Sequence, residues 1–381
     1  MGKITNLAII FNGDVDVFSP GDIIKGQVIL QIESATERGL ENVKGIWLQF
    51  RGESRIEIKR NNQLRDVLDE GYFDTTQVLF GTGTETPDVK NLNVPSGQQV
   101  FPFAIRLPDD RLPAAFEEQL GYVRYKVKAT ISLIRYLRNK EYKTERYFSV
   151  IGPKVDLNSM SGLQIPVTCD VTSRGWFGCG PPVSTITLNL PKQGYVPGES
   201  INITGRVDNQ SGSDQFSIRV KLIQEVNFLF TNCTTSIERV LAKIDSKLVC
   251  PKRKVSHLSV GPLRIPPVPP SGLPGCSLIN IEYFILCKDR KFPLKIGTVP
   301  LRPAGGKRRQ RAPVATGGQL APDQDTDDDA PPRYEEVVSV TDRLAYEISK
   351  DDFFSGGEFF PRYPYFERTG DLAVVSHLKN L

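Results

Sequence analysis

Val123-Arg124-Tyr125-Lys126-Val127-Lys128-Ala129-Thr130-Ile131-Ser132-Leu133 decides the fold class of this chain. Apolar and polar residues alternate along it without a break. Successive side chains of a strand point to opposite faces. The period of two therefore sets Val123, Tyr125, Val127, Ala129, Ile131 and Leu133 on one face of a sheet, with the polar set in water. Nothing in the body of the chain sustains the 3.6 period of a helix for three turns. Leu112 to Gln119 is the single stretch that reads as a short helical turn.

Strand patterns extend outward from there in both directions. Asp22 to Ile32 follows the turn residues Ser19-Pro20-Gly21, and Val43 to Ile58 runs into a hairpin turn at Asn61-Asn62. Further on, Phe216, Ile218, Val220 and Leu222 alternate with Ser217, Arg219 and Lys221. In Ile279 to Cys287 both alternating sets are partly apolar, as in a strand covered on both faces. Pro262 to Gly275 holds too many prolines to be a central strand. Gly152 to Pro182 breaks the pattern with Gly, Pro, Ser and Asn and reads as an inter-domain connection. An internal repeat supports two like domains. Phe18-Ser19-Pro20-Gly21-Asp22 precedes Gly26-Gln27-Val28, and Tyr195-Val196-Pro197-Gly198-Glu199 precedes Gly205-Arg206-Val207. In each copy Pro-Gly sets a tight turn and the next strand enters a sheet. The expectation is an all-β chain of two tandem β-sandwiches. Its divisions are 1–151, a connection at 152–182, a second domain at 183–303 and a tail at 304–381.

Composition agrees. Of 381 residues, 32 are glycine and 28 proline, an abundance of turn formers with no collagen period. Net charge is +4, divided between a basic body and an acidic tail, a balance that suits anionic partners or none in particular. Residues 304–381 are sparse in apolar side chains and read as mostly disordered, too poor in buried surface to offset the entropy of ordering. An aromatic cluster inside that tail, Phe353, Phe354, Phe359, Phe360, Tyr363, Tyr365 and Phe366, either folds back on the body or docks on a partner. The sequence has no apolar run long enough for a transmembrane helix or a signal peptide, so a cytosolic chain with reduced cysteines is expected.

The sharpest motif is Pro331-Pro332-Arg333-Tyr334. A proline pair favours the polyproline II conformation, so little entropy is lost when it docks in the aromatic groove of a WW domain, with the tyrosine in a second pocket. Pro331, Pro332 and Tyr334 are the candidate WW-binding residues. Tyr334-Glu335-Glu336-Val337 and Tyr363-Pro364-Tyr365-Phe366 also fit a degenerate pattern read by clathrin adaptors. Arg124, Lys126 and Lys128, on one strand face, are candidates for an anionic cargo contact or simply a solvated face. Lys307, Arg308, Arg309 and Arg311 form a basic flank of the tail. Trp176-Phe177 either touches a membrane or anchors the connection.

Catalysis finds no foothold. There is no nucleophile elbow, no phosphate-binding glycine loop and no Cys-x-x-Cys, and only two histidines occur, His257 and His377. Adjacent carboxylates such as Glu117-Glu118 carry no signal in sequence alone. No metal, cofactor, nucleic acid or small-molecule substrate is expected, and the chain is not expected to be an enzyme.

Taken in order, these residues resemble the α-arrestins, the arrestin domain-containing proteins. The resemblance rests on Phe18 to Asp22 with its strand, on Val155-Asp156-Leu157-Asn158, on Gly194-Tyr195-Val196-Pro197-Gly198-Glu199 with Ile201 to Val207, and on Pro331 to Tyr334 after the second domain. It implies two concave, immunoglobulin-like arrestin domains. It also implies an adaptor that recruits HECT-type ubiquitin ligases through PPxY–WW contacts. Its cargo would be membrane receptors or transporters, ubiquitinated, endocytosed and sorted through endosomes. The chain would then be cytoplasmic and recruited to the plasma membrane and endosomes, with peripheral membrane association. Many members carry two PPxY motifs. Here Phe360-Pro361-Arg362-Tyr363 is at most a partial second copy, and tandem avidity would be missing. Some relatives bind thioredoxin through a cysteine of the second domain. Cys250 lies in a comparable stretch and is the candidate redox cysteine, and a thioredoxin-linked or scaffolding role independent of a ligase is the alternative function.

Overall fold

A computed structural model of the chain describes residues 2–35, 37–60, 64–83, 92–109, 111–135, 139–173, 184–210, 214–302 and 359–366. Two sandwiches account for the body. In the first, β1 (Lys3–Phe11), β3 (Ile23–Glu33) and β6 (Gly97–Arg106) form one sheet. The facing sheet runs β2 (Val17–Phe18), β9 (Lys140–Val150), β8 (Gly121–Leu133), β4 (Val43–Arg60), β5 (Leu64–Gly81), with β7 (Phe116–Glu118) also on β8. The second sandwich pairs a sheet of β10 (Val167–Ser173), β11 (Ser184–Leu190), β13 (Ser200–Asn209) and β16 (Val255–Arg264) with another. That other sheet runs β12 (Gly194–Tyr195), β18 (Arg290–Ile296), β17 (Ile279–Cys287), β14 (Gln215–Phe230), β15 (Cys233–Val249).

The alternation in β8 is realised. Val123, Tyr125, Val127, Ala129, Ile131 and Leu133 are all buried between the sheets, with Leu48 and Phe50 of β4 and Ile24, Val28 and Leu30 of β3. The polar face is drier than expected, because Thr130 and Ser132 are buried too. β8 is a central strand, and these short side chains lie between residues of β4 and β9, Trp47 and Lys143 flanking Thr130. The stretch 112–119 is not helical. Leu112, Ala114 and Ala115 are buried in extended chain, the Ala115 amide donates to Val150 O at 2.8 Å, and Phe116 to Glu118 pair with β8. Tertiary contacts outweigh local propensity here.

The expected connection contains a strand. β10 alternates Val167, Cys169 and Val171 and pairs with β11 over Val167–Ser173, so the C-terminal sandwich begins inside that stretch. Upstream, Val155 to Asn158 is tied to the exit of the second domain. The Val155 amide donates to Thr298 Oγ1 at 2.7 Å, and Asn158 Nδ2 donates to Pro300 O at 2.9 Å. In turn Asn158 Oδ1 accepts from the Arg302 amide at 2.8 Å. The hairpin tip at Asn61-Asn62 lies outside the described residues. No helix among the described residues is long and apolar enough to cross a membrane.

Candidate functional site

The two Pro-Gly repeats become the same object twice. Each follows a two-residue parallel strand, β2 on β9 and β12 on β18. The aromatic residue before each turn is anchored in the core. Phe18 sits edge-on to Phe11 and Phe148 with centroids at 5.8 and 5.7 Å, and Tyr195 is fully buried under Lys192. Gly21 and Gly198 adopt φ of +84° and +92°, a region open to glycine and costly for other residues. Each turn closes with an amide-to-carbonyl bond of 3.1 Å, Asp22 to Ser19 and Glu199 to Val196. The acid at the fourth position then reaches back: Asp22 Oδ2 accepts from the Ser19 amide at 2.7 Å and Glu199 Oε2 from the Val196 amide at 2.9 Å. The identical bonding accounts for the aromatic–x–Pro–Gly–acid pattern.

Residues 359–366 lie across both turn regions. Phe359 stacks on Tyr147 at 5.4 Å. The Arg362 amide donates to Ser149 Oγ at 3.0 Å, and its guanidinium pairs with Asp16 at 2.9 Å. Tyr363 and Tyr365 are buried, and Arg264 lies 4.9 Å above the ring of Tyr365. Finally the Phe366 amide donates to Pro197 O at 3.0 Å. The segment thus ties the end of β9 in one domain to the Pro-Gly turn of the other. Of the two alternatives open for the aromatic cluster, this part of it folds back on the body, and the partial second motif, Phe360 to Tyr363, lies within it.

A second inter-domain contact is ionic. Glu118 on β7 pairs with Arg239 on β15 and accepts from the Gln119 amide, while its Oε2 is buried without a hydrogen-bond partner. Glu117, beside it, accepts from Arg124 at 2.5 and 2.7 Å. Burial pushes both carboxyls up, against the pull of their arginines. Glu70 Oε2 adds a third link, accepting from the Ser277 amide at 3.0 Å. Of the adjacent carboxylates that meant nothing in sequence, Glu118 is therefore the buried charge of the domain seam, and Glu117 is a buried charge paired within its own domain.

The sequence-predicted residues fall in separate places. Arg124 is committed to Glu117 and stacks at 3.9 Å over Tyr122. Lys126 and Lys128 share Glu145 at 3.4 and 3.8 Å and are half-buried on the outer face of β8. Cys250 is fully buried, its sulfur facing the carbonyls of Lys254 at 3.3 Å and Val207 at 3.6 Å. A thiol in this position is not presented to a partner. Pro331, Pro332 and Tyr334 lie outside the described residues, as do Trp176-Phe177 and Lys307 to Arg311. Glu118, Glu70 and Arg239 were missed because their partners across the seam lie over a hundred residues away in sequence; the only available sign was a glutamate pair entering a strand.

Comparison with known proteins places the geometry. The N-terminal domain model of arrestin (or S-antigen) matches residues 7–158 and the C-terminal domain model matches residues 183–288. Arrestin domain-containing protein 1 of Homo sapiens is 26% identical over 287 residues, 75% of this chain. That match spans only 61% of the human protein's length. The Mus musculus protein of the same name is 25% identical over 339 residues, 85% of this chain and 73% of its own. Thioredoxin-interacting protein of Sus scrofa is 22% identical over 286 residues, covering 74% and 70%.

Proposed function

The chain belongs to the arrestin family as an α-arrestin, and from that premise we propose that it is an adaptor joining a HECT-type ubiquitin ligase to membrane-protein cargo. The observation that carries this reading is an order of parts: two arrestin domains, then Pro331-Pro332-Arg333-Tyr334 after the second. The proline pair is suited to a WW groove because polyproline II needs little ordering, and Tyr334 supplies apolar area and a hydroxyl. The partial copy at 360–363 is spent on the body through Arg362 and Tyr363, which leaves one full motif for the ligase.

In this account the arrestin body meets receptors or transporters at the plasma membrane and endosomes, and the ligase marks them for sorting. Lys126 and Lys128 are the cations that an anionic cargo segment would meet, in competition with Glu145. The work is binding rather than catalysis. A redox role for Cys250 would first require its turn to open, and Cys250→Ser with loss of a reduction-sensitive thioredoxin complex would be its sign. The adaptor reading is tested by co-precipitating a HECT ligase from cells with the full chain and with Tyr334→Ala. Loss of the ligase from the variant is expected; retention at the wild-type level rejects the reading.

A further inference from the structure

The smaller sheet of each sandwich has one face in the core and one outside, and the two outer faces differ in chemistry. On β10, β11, β13 and β16 the outward rows are polar. Asp170, Thr187, Arg206 and His257 lie abreast, with Thr168, Asn189, Thr204 and Ser259 in the next row. Val255 stands at the margin, opposite Asp208. That is the ordinary pattern of an antiparallel sheet with one face in water.

The sheet of β1, β3 and β6 departs from it. Ala8, Ile29 and Val100 lie abreast across its outside, and Ile10, Gln27 and Pro102 form the row beside them. Their neighbours in sequence, Ile9, Val28, Leu30 and Phe103, are buried on the inner side. Ala104 continues the apolar stripe along β6, and Ile23 stands on the same side of β3. Ile23, Val100 and Ile10 are 52%, 47% and 38% exposed. Apolar side chains gathered on one outer face, where the matching sheet is polar, mark an interaction surface.

The charge on this face has one sign. Lys25 is exposed, stands between Ile23 and Gln27 on the outer side of β3, and lies beside Ala104. It makes no ion pair with another described residue. Two carboxylates near this end of the sheet are already engaged: Asp22 accepts from the Ser19 amide, and Asp109 pairs with Arg106. The face therefore offers an apolar stripe with a cation open to an incoming carboxylate.

We propose that this face docks an amphipathic α-helix of a partner protein, one with glutamate or aspartate flanking its apolar stripe. Three strands about 4.8 Å apart make a face about 10–15 Å wide, the width of one helix. A helix laid on a sheet is a standard way to cover an apolar sheet face. Its stripe covers Ile10, Ile29, Val100 and Pro102, and its acidic flank reaches Lys25. A second copy of this chain fits less well, because a self-complementary interface would bring in two copies of Lys25 and no carboxylate to meet them. The inference goes beyond the adaptor reading and needs neither Tyr334 nor a ligase.

Fluorescence anisotropy of the full chain with a labelled synthetic helix of about 18 residues tests it. The probe carries leucines at i, i+4 and i+7 spacing along one stripe, glutamates beside the stripe and alanine elsewhere, and a twin carries lysine for each glutamate. The wild type should bind the acidic probe about tenfold or more tightly than the basic twin. Ile10→Ser with Val100→Ser should weaken that binding about tenfold or more. Lys25→Glu should turn the preference toward the basic twin. Val240→Ser with Val249→Ser, at exposed valines of the other domain, should leave binding within about twofold. The proposal is overturned if the acidic probe does not bind, if the two probes bind alike, or if the control pair loses as much as the face pair. It is also overturned if sedimentation shows a wild-type dimer that the Ile10 and Val100 exchange dissolves, which would assign the face to a second copy. Release of the chain from phosphatidylserine vesicles by that exchange, with the probe unaffected, would overturn it in favour of a membrane. Thermal melts check folding, and Lys25→Glu decides alone if the serine pair does not fold.

Discussion

The two sandwiches differ less in how they are built than in what lies on them. Their larger sheets share one plan, with β2, β9, β8, β4, β5 in the first matching β12, β18, β17, β14, β15 in the second. Both bury a tyrosine on the third strand of that order whose hydroxyl donates to a proline carbonyl at 2.7 Å, Tyr125 to Pro113 and Tyr283 to Pro269. Even the bonds behind the turns agree: the Gly21 amide goes to Pro108 O and the Gly198 amide to Ile265 O. The difference is the neighbour in front. A side chain at Gly21 would meet the Asp109 carboxylate of its own domain, whereas one at Gly198 would meet the backbone of Phe366 in the tail. The same local motif thus closes a loop in one domain and receives the returning tail in the other.

The seam offers the largest break in this arrangement. Arg239→Ala leaves Glu118 buried without its cation, and a loss of about 3–5 kcal/mol is expected in denaturant unfolding. The turns come next. Gly21→Ala and Gly198→Ala each force an alanine into a left-handed conformation, at about 1–2 kcal/mol. Asp109 can swing aside, but the Phe366 backbone cannot. Trypsin should therefore cut after Arg362 faster in Gly198→Ala and no faster in Gly21→Ala; equal cutting would remove the distinction between the turns. Arg362→Ala should cost at most about 1 kcal/mol, because its pair with Asp16 is part-exposed.

A pH comparison sharpens the ionic side. Folding raises the Glu118 carboxyl above its ordinary range, so the folded chain holds that proton more tightly than the unfolded chain. The contribution of Glu118 to stability therefore grows as pH falls through its folded value and diminishes above it. Melting the wild type and Glu118→Gln at neutral and mildly acidic pH should show the wild type gaining on the variant upon acidification. A constant difference would contradict the burial account.

Much of the fold was legible because its determinants are local. Period two in β8 and the aromatic–x–Pro–Gly–acid repeat each specify geometry from a few adjacent residues. β10 was lost because its short alternation is set among Gly, Pro, Ser and Asn. The stretch 112–119 was misread because two alanines and two glutamates favour helix locally while Phe116 and the seam hold them extended. Glu118 with Arg239 and Arg362 with Asp16 are pairings across more than a hundred residues, and no local pattern announces them.

The central claim, a single ligase motif beside a docked imitation, rests on two tyrosines in matching Pro-Arg-Tyr contexts. Titration of a HECT-ligase WW domain into the full chain, with Tyr334→Ala and Tyr363→Ala beside the wild type, tests it most directly. The account predicts that Tyr334→Ala removes binding by about tenfold or more, while Tyr363→Ala leaves it undiminished. Undiminished binding by Tyr334→Ala would contradict it.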